Sequence, residues 1–244
     1  MQQTKGILYL IPTLLGDTPP ALVLPAGLIN TVRTLDYFVV EQLRTSRRFL
    51  SRIGMEKPID SLVFFELNKH SNQNELRRYL EPVLSGHSVG LMSEAGTPCV
   101  ADPGSLIVEM AHELGIRVVP LSGPNAILMA LMASGFNGQK FMFHGYLPIN
   151  GGERAIALKA LELQSAETGQ TQIFIETPYR NLQMLEAIKS HCRPGTSLCV
   201  AVNISLPDEY IHAAPLSAWK SLVPDMHKKP AVFLIWSGNH RNST

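Results

Sequence analysis

Along the first half of the chain, short apolar runs alternate with longer stretches that keep their apolar residues on one helical face. Gly6–Ile11, Tyr37–Val40, Leu62–Phe65, Ser88–Met92 and Arg117–Leu121 predict strands, being short and mostly apolar, with β-branched and aromatic members. Between them, Leu24–Leu35, Ser46–Ile53, Asn74–Leu84 and Ser105–Leu114 predict helices, each with one apolar face turned inward. This alternation implies a parallel sheet wrapped by right-handed crossovers. Strands that read as continuous apolar runs imply a sheet covered on both faces.

After Gly123-Pro124 the rhythm changes. A helix of small residues and Met, Ala126–Ser134, leads to the run Lys140–Tyr146, a loop Pro148–Gly152 and a helix Glu153–Leu163. Strands are expected at Gln172–Glu176, Ser197–Ile204 and Ala231–Ser237, with a helix over Tyr179–His191. The expected division is a parallel α/β domain, residues 1–122, and a more mixed α/β domain, residues 123–244, with a cleft between them. No internal repeat is visible, and Asn239–Thr244 reads as a frayed tail.

Composition chiefly excludes. At 45% hydrophobic and 17% charged residues, the 244-residue chain is ordinary globular material. The apolar stretches Ala126–Ala133 and Ala231–Trp236 fall far short of the roughly 20 residues a bilayer span needs. The first residues run straight into a strand without a signal-peptide pattern, so a soluble, cytoplasmic protein without a membrane partner is expected. Cys99, Cys192 and Cys199 form no CxxC pair, which argues against a zinc ribbon or a disulfide scaffold. The eight histidines form no HxxxH or HExxH pair, so no metal site is expected. Twenty-one Lys+Arg against 20 Asp+Glu exclude a globally basic nucleic-acid binder but leave room for a local basic patch.

In open parallel sheets, ligands collect at the carboxyl ends of the strands. The first strand runs into Ile11-Pro12-Thr13-Leu14-Leu15-Gly16-Asp17, which has neither the glycines of a dinucleotide fingerprint nor a Walker A lysine. The fourth ends in Ser93-Glu94-Ala95-Gly96-Thr97-Pro98-Cys99-Val100-Ala101-Asp102-Pro103-Gly104. Glycines there let backbone approach a ligand, prolines stiffen the loop, and Asp102 is placed to start the next helix. The fifth ends in Ser122-Gly123-Pro124-Asn125-Ala126, with Asn125 as a candidate cap. Two such turns on neighbouring strand ends make a floor of backbone amides and carbonyls, suited to a neutral or cationic small molecule. After the second strand, Arg44, Arg47, Arg48 and Arg52 lie within nine residues; on a helix they form either a solvated face or a phosphate-contacting patch. Cys99 reads as a small packed residue rather than a nucleophile.

At these loops the sequence resembles the tetrapyrrole methylase superfamily of S-adenosylmethionine-dependent methyltransferases. It is most similar there to the branch that methylates a cytidine ribose 2′-hydroxyl in small-subunit ribosomal RNA. That branch reads, in order, approximately ATPIGNLGD, EDTRxT, HEHNE, SDAGTPxxxDPG, VVPxPGPSA, FxFxGFLP, YESPHR and RELTKxxE. The matching segments are Ile11–Asp17, Glu41–Ser46, Phe65–Lys69, Ser93–Gly104, Val118–Ala126, Phe141–Pro148, Ile175–Arg180 and Ala201–His212. They are collinear over nearly the whole chain. Departures fall on the acceptor side: HEHNE is Phe65-Glu66-Leu67-Asn68-Lys69, and RELTK is Val202-Asn203-Ile204-Ser205-Leu206.

The resemblance implies a two-domain α/β tetrapyrrole-methylase-like enzyme, usually a homodimer, that folds S-adenosylmethionine into the interdomain cleft. By that carry-over, Glu94, Ala95, Gly96, Thr97, Asp102, Ser122, Pro124, Asn125 and Ala126 are the expected cofactor contacts. A ribose hydroxyl must lose a proton on methylation, so a general base must stand within reach of it. Glu41, Glu66 and Glu94 are the candidates. Glu66 is preferred, with Asn68 beside it and Arg44 positioning a phosphate of ribosomal RNA. Three readings remain open: an RNA 2′-O-methyltransferase, a methyltransferase of a small-molecule, tetrapyrrole-like acceptor, and a non-catalytic relative that binds cofactor or RNA.

Overall fold

The computed structural model describes residues 4–67, 72–219 and 222–238. The expected tail Asn239–Thr244 and the acceptor candidate Asn68 lie outside these described residues. The chain divides into two compact units between Asn125 and Ala126, three residues beyond the expected boundary at Ser122.

In the first unit the elements run β1 (Ile7–Ile11), α1 (Pro20–Val23), α2 (Ala26–Arg33), β2 (Tyr37–Val40), α3 (Leu43–Arg52), β3 (Val63–Glu66), α4 (Gln73–Tyr79), α5 (Glu81–Leu84), β4 (Val89–Met92), α6 (Ser105–Glu113) and β5 (Arg117–Pro120). The strands form one five-stranded sheet in the order β3-β2-β4-β1-β5, parallel throughout, as the apolar runs predict.

Alternation along each strand feeds two cores. Ile11, Phe38, Val40 and Met92 pack with Leu28 and Val32 of α2 and Phe49 and Leu50 of α3. On the opposite face Leu8, Val39, Val89 and Leu91 pack with Leu76, Leu80, Val83, Ile107 and Ala111 of α4, α5 and α6. The crossovers leaving β1 and β2 therefore cover one face, and those leaving β3 and β4 the other. β1 and β4 are neighbours whose following loops diverge to opposite faces. This is a topological switch point, where the carboxyl edge opens a crevice.

Proline reshapes two expected helices. Leu24 precedes Pro25 and is extended, with φ −106° and ψ 131°, so the helix expected over Leu24–Leu35 begins only at Ala26, and the short α1 before it was not expected. Pro82 lacks the N–H needed to continue a helix past Leu80, which divides the expected Asn74–Leu84 helix into α4 and α5.

The second unit holds α7 (Ala126–Ser134), β6 (Phe141–Tyr146), α8 (Gly151–Thr168), β7 (Thr171–Glu176), α9 (Asn181–His191), β8 (Ser197–Val202), β9 (Tyr210–Pro215) and β10 (Ala231–Trp236). Its sheet runs β6-β7-β10-β8-β9, with β6 and β7 parallel and the other pairings antiparallel, which is the mixed half expected. Phe174, Phe233 and Trp219 centre its core. α8 starts two residues before the expected Glu153. The Asn150 side chain accepts the N–H groups of Gly152 and Glu153 at 2.9 and 3.2 Å, and the helix runs on to a left-handed Gly169.

Candidate functional site

The register of the first sheet sets the candidate residues in a row. Val40 pairs with both Glu66 and Met92, Met92 with Ile11, and Leu10 with Pro120. Glu66, Glu41, Ser93, Pro12 and Leu121 thus stand in that order along one carboxyl edge. Residues far apart in sequence are brought to one place because every strand points the same way.

The loop after β4 is tied to its neighbours on both sides. The Thr13 N–H donates to the Gly96 carbonyl at 2.9 Å, which joins it to the loop after β1. The Thr97 hydroxyl donates to the Pro124 carbonyl at 3.2 Å, and the Asn125 side-chain amide donates to the Thr97 hydroxyl at 3.0 Å. Asn125 therefore links the two Gly/Pro turns. Gly96 has φ +71°, and a Cβ there would meet Leu15 Cδ2 at 3.0 Å. A Cβ on Gly123 would come within 2.4 Å of Pro12 Cβ. Both glycines permit close backbone approaches that a side chain would block.

Asp102 does not cap α6 as its position had implied, since Gly104 occupies the N-cap position and no side chain caps the helix. Its carboxylate instead accepts the Cys99 N–H at 2.9 Å and the Gly104 N–H at 2.7 Å. These bonds brace a loop in which Cys99 and Ala101, neither a glycine, have φ +68° and +62°. Burial pushes the Asp102 carboxyl above its ordinary value, against the pull of the two amides. Burial, with the Asp102 charge adding to it, pushes the Cys99 thiol up to about 12. Cys99 is therefore packing rather than a nucleophile, as its sequence context implied.

Glu94, Ala95 and Ser122 are exposed on this edge, Gly96 and Pro124 are buried, and Thr97, Asn125 and Ala126 lie between those limits. Ala126 is the first residue of α7 in the second unit. Exposed Glu66 ends β3, its carbonyl accepting the Tyr79 hydroxyl at 3.0 Å. Half-buried Glu41 reaches the N–H of Glu94 at 3.4 Å. The arginines do lie on a helix, α3, but they do different things. Arg47 pairs with Asp60, and Arg52 pairs with Asp17 at 2.9 Å and donates to the Thr18 carbonyl at 2.9 Å. Arg44 and Arg48 are exposed.

At the switch point a cavity of about 520 Å³ is lined by Thr13 to Asp17, by Thr45, Arg48, Phe49 and Arg52 of α3, and by Glu94 and Ala95. Sequence reading did not single out Thr13, Asp17 or Thr45 as site residues. Their signal was the coincidence of a Gly16-Asp17 turn after β1 with arginines after β2, and it becomes legible only once β4 is known to lie between those strands. Among the described residues no cluster of His, Cys, Asp and Glu could hold a metal ion.

A floor of backbone groups with glycines where a Cβ would intrude fits S-adenosylmethionine better than a phosphate-rich nucleotide. The family model of tetrapyrrole (corrin/porphyrin) methylases matches residues 9–219. The chain belongs to the tetrapyrrole methylase family. It is an S-adenosylmethionine-dependent methyltransferase by that membership. It is 31% identical over 235 residues to the ribosomal RNA small subunit methyltransferase I of Escherichia coli O157:H7, covering 95% of this chain and 78% of that one. It is 32% identical to the protein of the same name from Pasteurella multocida, covering 96% and 80%. The uroporphyrin-III C-methyl transferase of Thermus thermophilus, solved with S-adenosyl homocysteine, superposes with a TM-score of 0.56 at 17% identity, covering 95% and 98%. At that identity the likeness concerns the fold alone.

Proposed function

We propose that this methyltransferase acts on ribosomal RNA of the small subunit and places the methyl group on a ribose 2′-hydroxyl. The observation that carries the reading is the shared carboxyl edge. Two cross-linked Gly/Pro loops stand beside three carboxylates, Glu41, Glu66 and Glu94, and beside the arginine-bearing α3. The relatives' names point to the same acceptor. Ala95, Gly96, Thr97, Ser122, Pro124 and Asn125 would hold the cofactor, which when bound supplies a methyl group on a sulfonium. Backbone carbonyls suit a sulfonium, and backbone amides suit the methionine carboxylate. Asp102 acts one step removed, by bracing the loop.

A carboxylate on this edge would accept the hydroxyl proton, and arginines of α3 would take RNA phosphates. Part of the arginine cluster is internally neutralised, so the positive surface open to RNA is smaller than the sequence implies. We further propose that two copies of the chain pair as a homodimer through apolar side chains that the second unit leaves exposed.

The test is to map ribose methylation on small-subunit ribosomal RNA from cells with and without the gene. One ribose methyl should be missing without it and restored by the purified protein and S-adenosylmethionine. An unchanged methylation map would remove this function.

A further inference from the structure

The cavity at the switch point has a specific charge arrangement. Asp17 and Arg52 neutralise each other across it at 2.9 Å. Arg48 and Glu94, both exposed and both lining it, have no ion pair or side-chain hydrogen bond among the described residues. One unpaired cation and one unpaired anion thus face a space of about 520 Å³ floored by Thr13 and Thr45. That volume lies within the range of small-molecule sites, roughly 300–1,000 Å³, and suits a single nucleotide. A nucleotide within an RNA chain offers the matching pair: an anionic phosphodiester and a neutral hydroxyl whose proton must leave.

We infer that this cavity receives the target nucleotide, with Arg48 binding its phosphate and Glu94 acting as the general base on the ribose hydroxyl. The inference rests on the proposed RNA-ribose acceptor and names the residues that would serve it. It moves the base from Glu66, which is exposed at the end of β3 and does not line the cavity. Glu94 is also two residues from Gly96, in the loop that carries the expected cofactor contacts, whereas Glu66, on β3, lies two strands away from β4. Glu41, reaching the Glu94 N–H at 3.4 Å, becomes a positioning residue for that loop.

The chemistry balances without a further reactant. The hydroxyl O–H bond breaks and its proton passes to the Glu94 carboxylate. The oxygen forms its bond to the methyl carbon, and the pair from the broken carbon–sulfur bond stays on sulfur. The protonated carboxyl then returns its proton to water.

Small-subunit ribosomal RNA from cells lacking the gene serves as the probe, in binding assays without cofactor and in single-turnover methylation. Arg48→Ala should weaken RNA binding about tenfold and flatten its log–log salt slope by about 0.7–0.9. Arg77→Ala, on the exposed face of α4, should change neither. Glu94→Gln should lower the methylation rate about a hundredfold to ten-thousandfold at saturating cofactor, while RNA affinity stays within about twofold. An unchanged salt slope in Arg48→Ala, or a wild-type methylation rate in Glu94→Gln, would overturn the inference and leave the RNA reading intact. If the wild-type protein puts no methyl on a ribose of this RNA, the reading itself fails and the inference goes with it.

Discussion

The N–H of Thr13 donates to the carbonyl of Gly96 at 2.9 Å, joining the loop after β1 to the loop after β4 although 83 positions separate the two residues. The bond crosses the switch point of the sheet and fixes how the β4 loop presents its backbone. Gly96 holds this position at φ +71°, with room for a hydrogen where a Cβ would press on Leu15. Gly96→Val should therefore cost about 1–2 kcal/mol in backbone strain alone and lower S-adenosylmethionine affinity sharply. Calorimetric titration of folded variant protein checks it. Undiminished affinity would show that the cofactor does not lie against this loop.

Asp102 gives a second prediction, with a defined sign in pH. Asp102→Ala leaves the amides of Cys99 and Gly104 without their acceptor and should destabilise the protein by about 1–3 kcal/mol. In the wild type, burial raises the folded carboxyl pKa above the ordinary 3.8. Such a group contributes stability that is present below 3.8 and lost as pH rises through the folded value. Asp102→Asn has no such titration. Its stability relative to wild type should therefore improve as pH rises from below 3.8, which urea melts at several pH values would measure.

How much of this was legible in the sequence varies by element. All five strands of the first unit were placed to within about a residue: β4, all four residues buried, cannot hide its composition, and the edge strands β3 and β5, with no residue buried, still carry short β-branched and aromatic runs. The edge strand β9 was missed. Tyr210-Ile211-His212-Ala213-Ala214-Pro215 has no buried residue and its sequence carries no clear alternation. The late start of α2 and the break at Leu80 were written in Pro25 and Pro82 but outweighed by apolar periodicity. At the site, the loops after β4 and β5 stood out by their glycines and prolines. The cavity did not, because it depends on the strand order β2-β4-β1, which the order of residues does not state. Nor could sequence tell that Arg47 would be taken by Asp60 and Arg52 by Asp17, leaving Arg44 and Arg48 with different prospects.

The three cysteines should be nearly inert. Burial is the leading cause that pushes the thiols of Cys99, Cys192 and Cys199 up to about 12, from an ordinary 9.0. At pH 8 the thiolate fraction falls roughly a thousandfold below that of an ordinary thiol. Native protein should react with a disulfide reagent only after unfolding in denaturant, when three thiols should titrate. Rapid modification of Cys99 in native protein would mean that its loop opens readily.

The pairing of two copies can be tested on α8. The small-residue and Met helix α7 is the other apolar candidate, and its Met132 is 81% exposed, but Ala130, Leu131 and Ser134 of that helix are buried. On α8, Ile156 and Leu163 are 72% and 57% exposed and lie seven residues apart, hence on the same helical side. Ile149, 67% exposed, continues the spacing one step before the helix, and Ala160 lies between the two on the same side. A stripe of this kind gains by leaving water against an identical stripe, at about 25 cal/mol for each Å² covered. The wild-type protein should scatter light at twice the 26.9 kDa chain mass at micromolar concentration. Ile156→Lys with Leu163→Lys should shift it to the single mass with unchanged circular dichroism, because neither side chain belongs to the buried core. If the double variant stays paired, the contact lies elsewhere, and Met132→Lys on α7 is the next variant to weigh. A wild-type protein that already scatters as one chain removes the homodimer altogether.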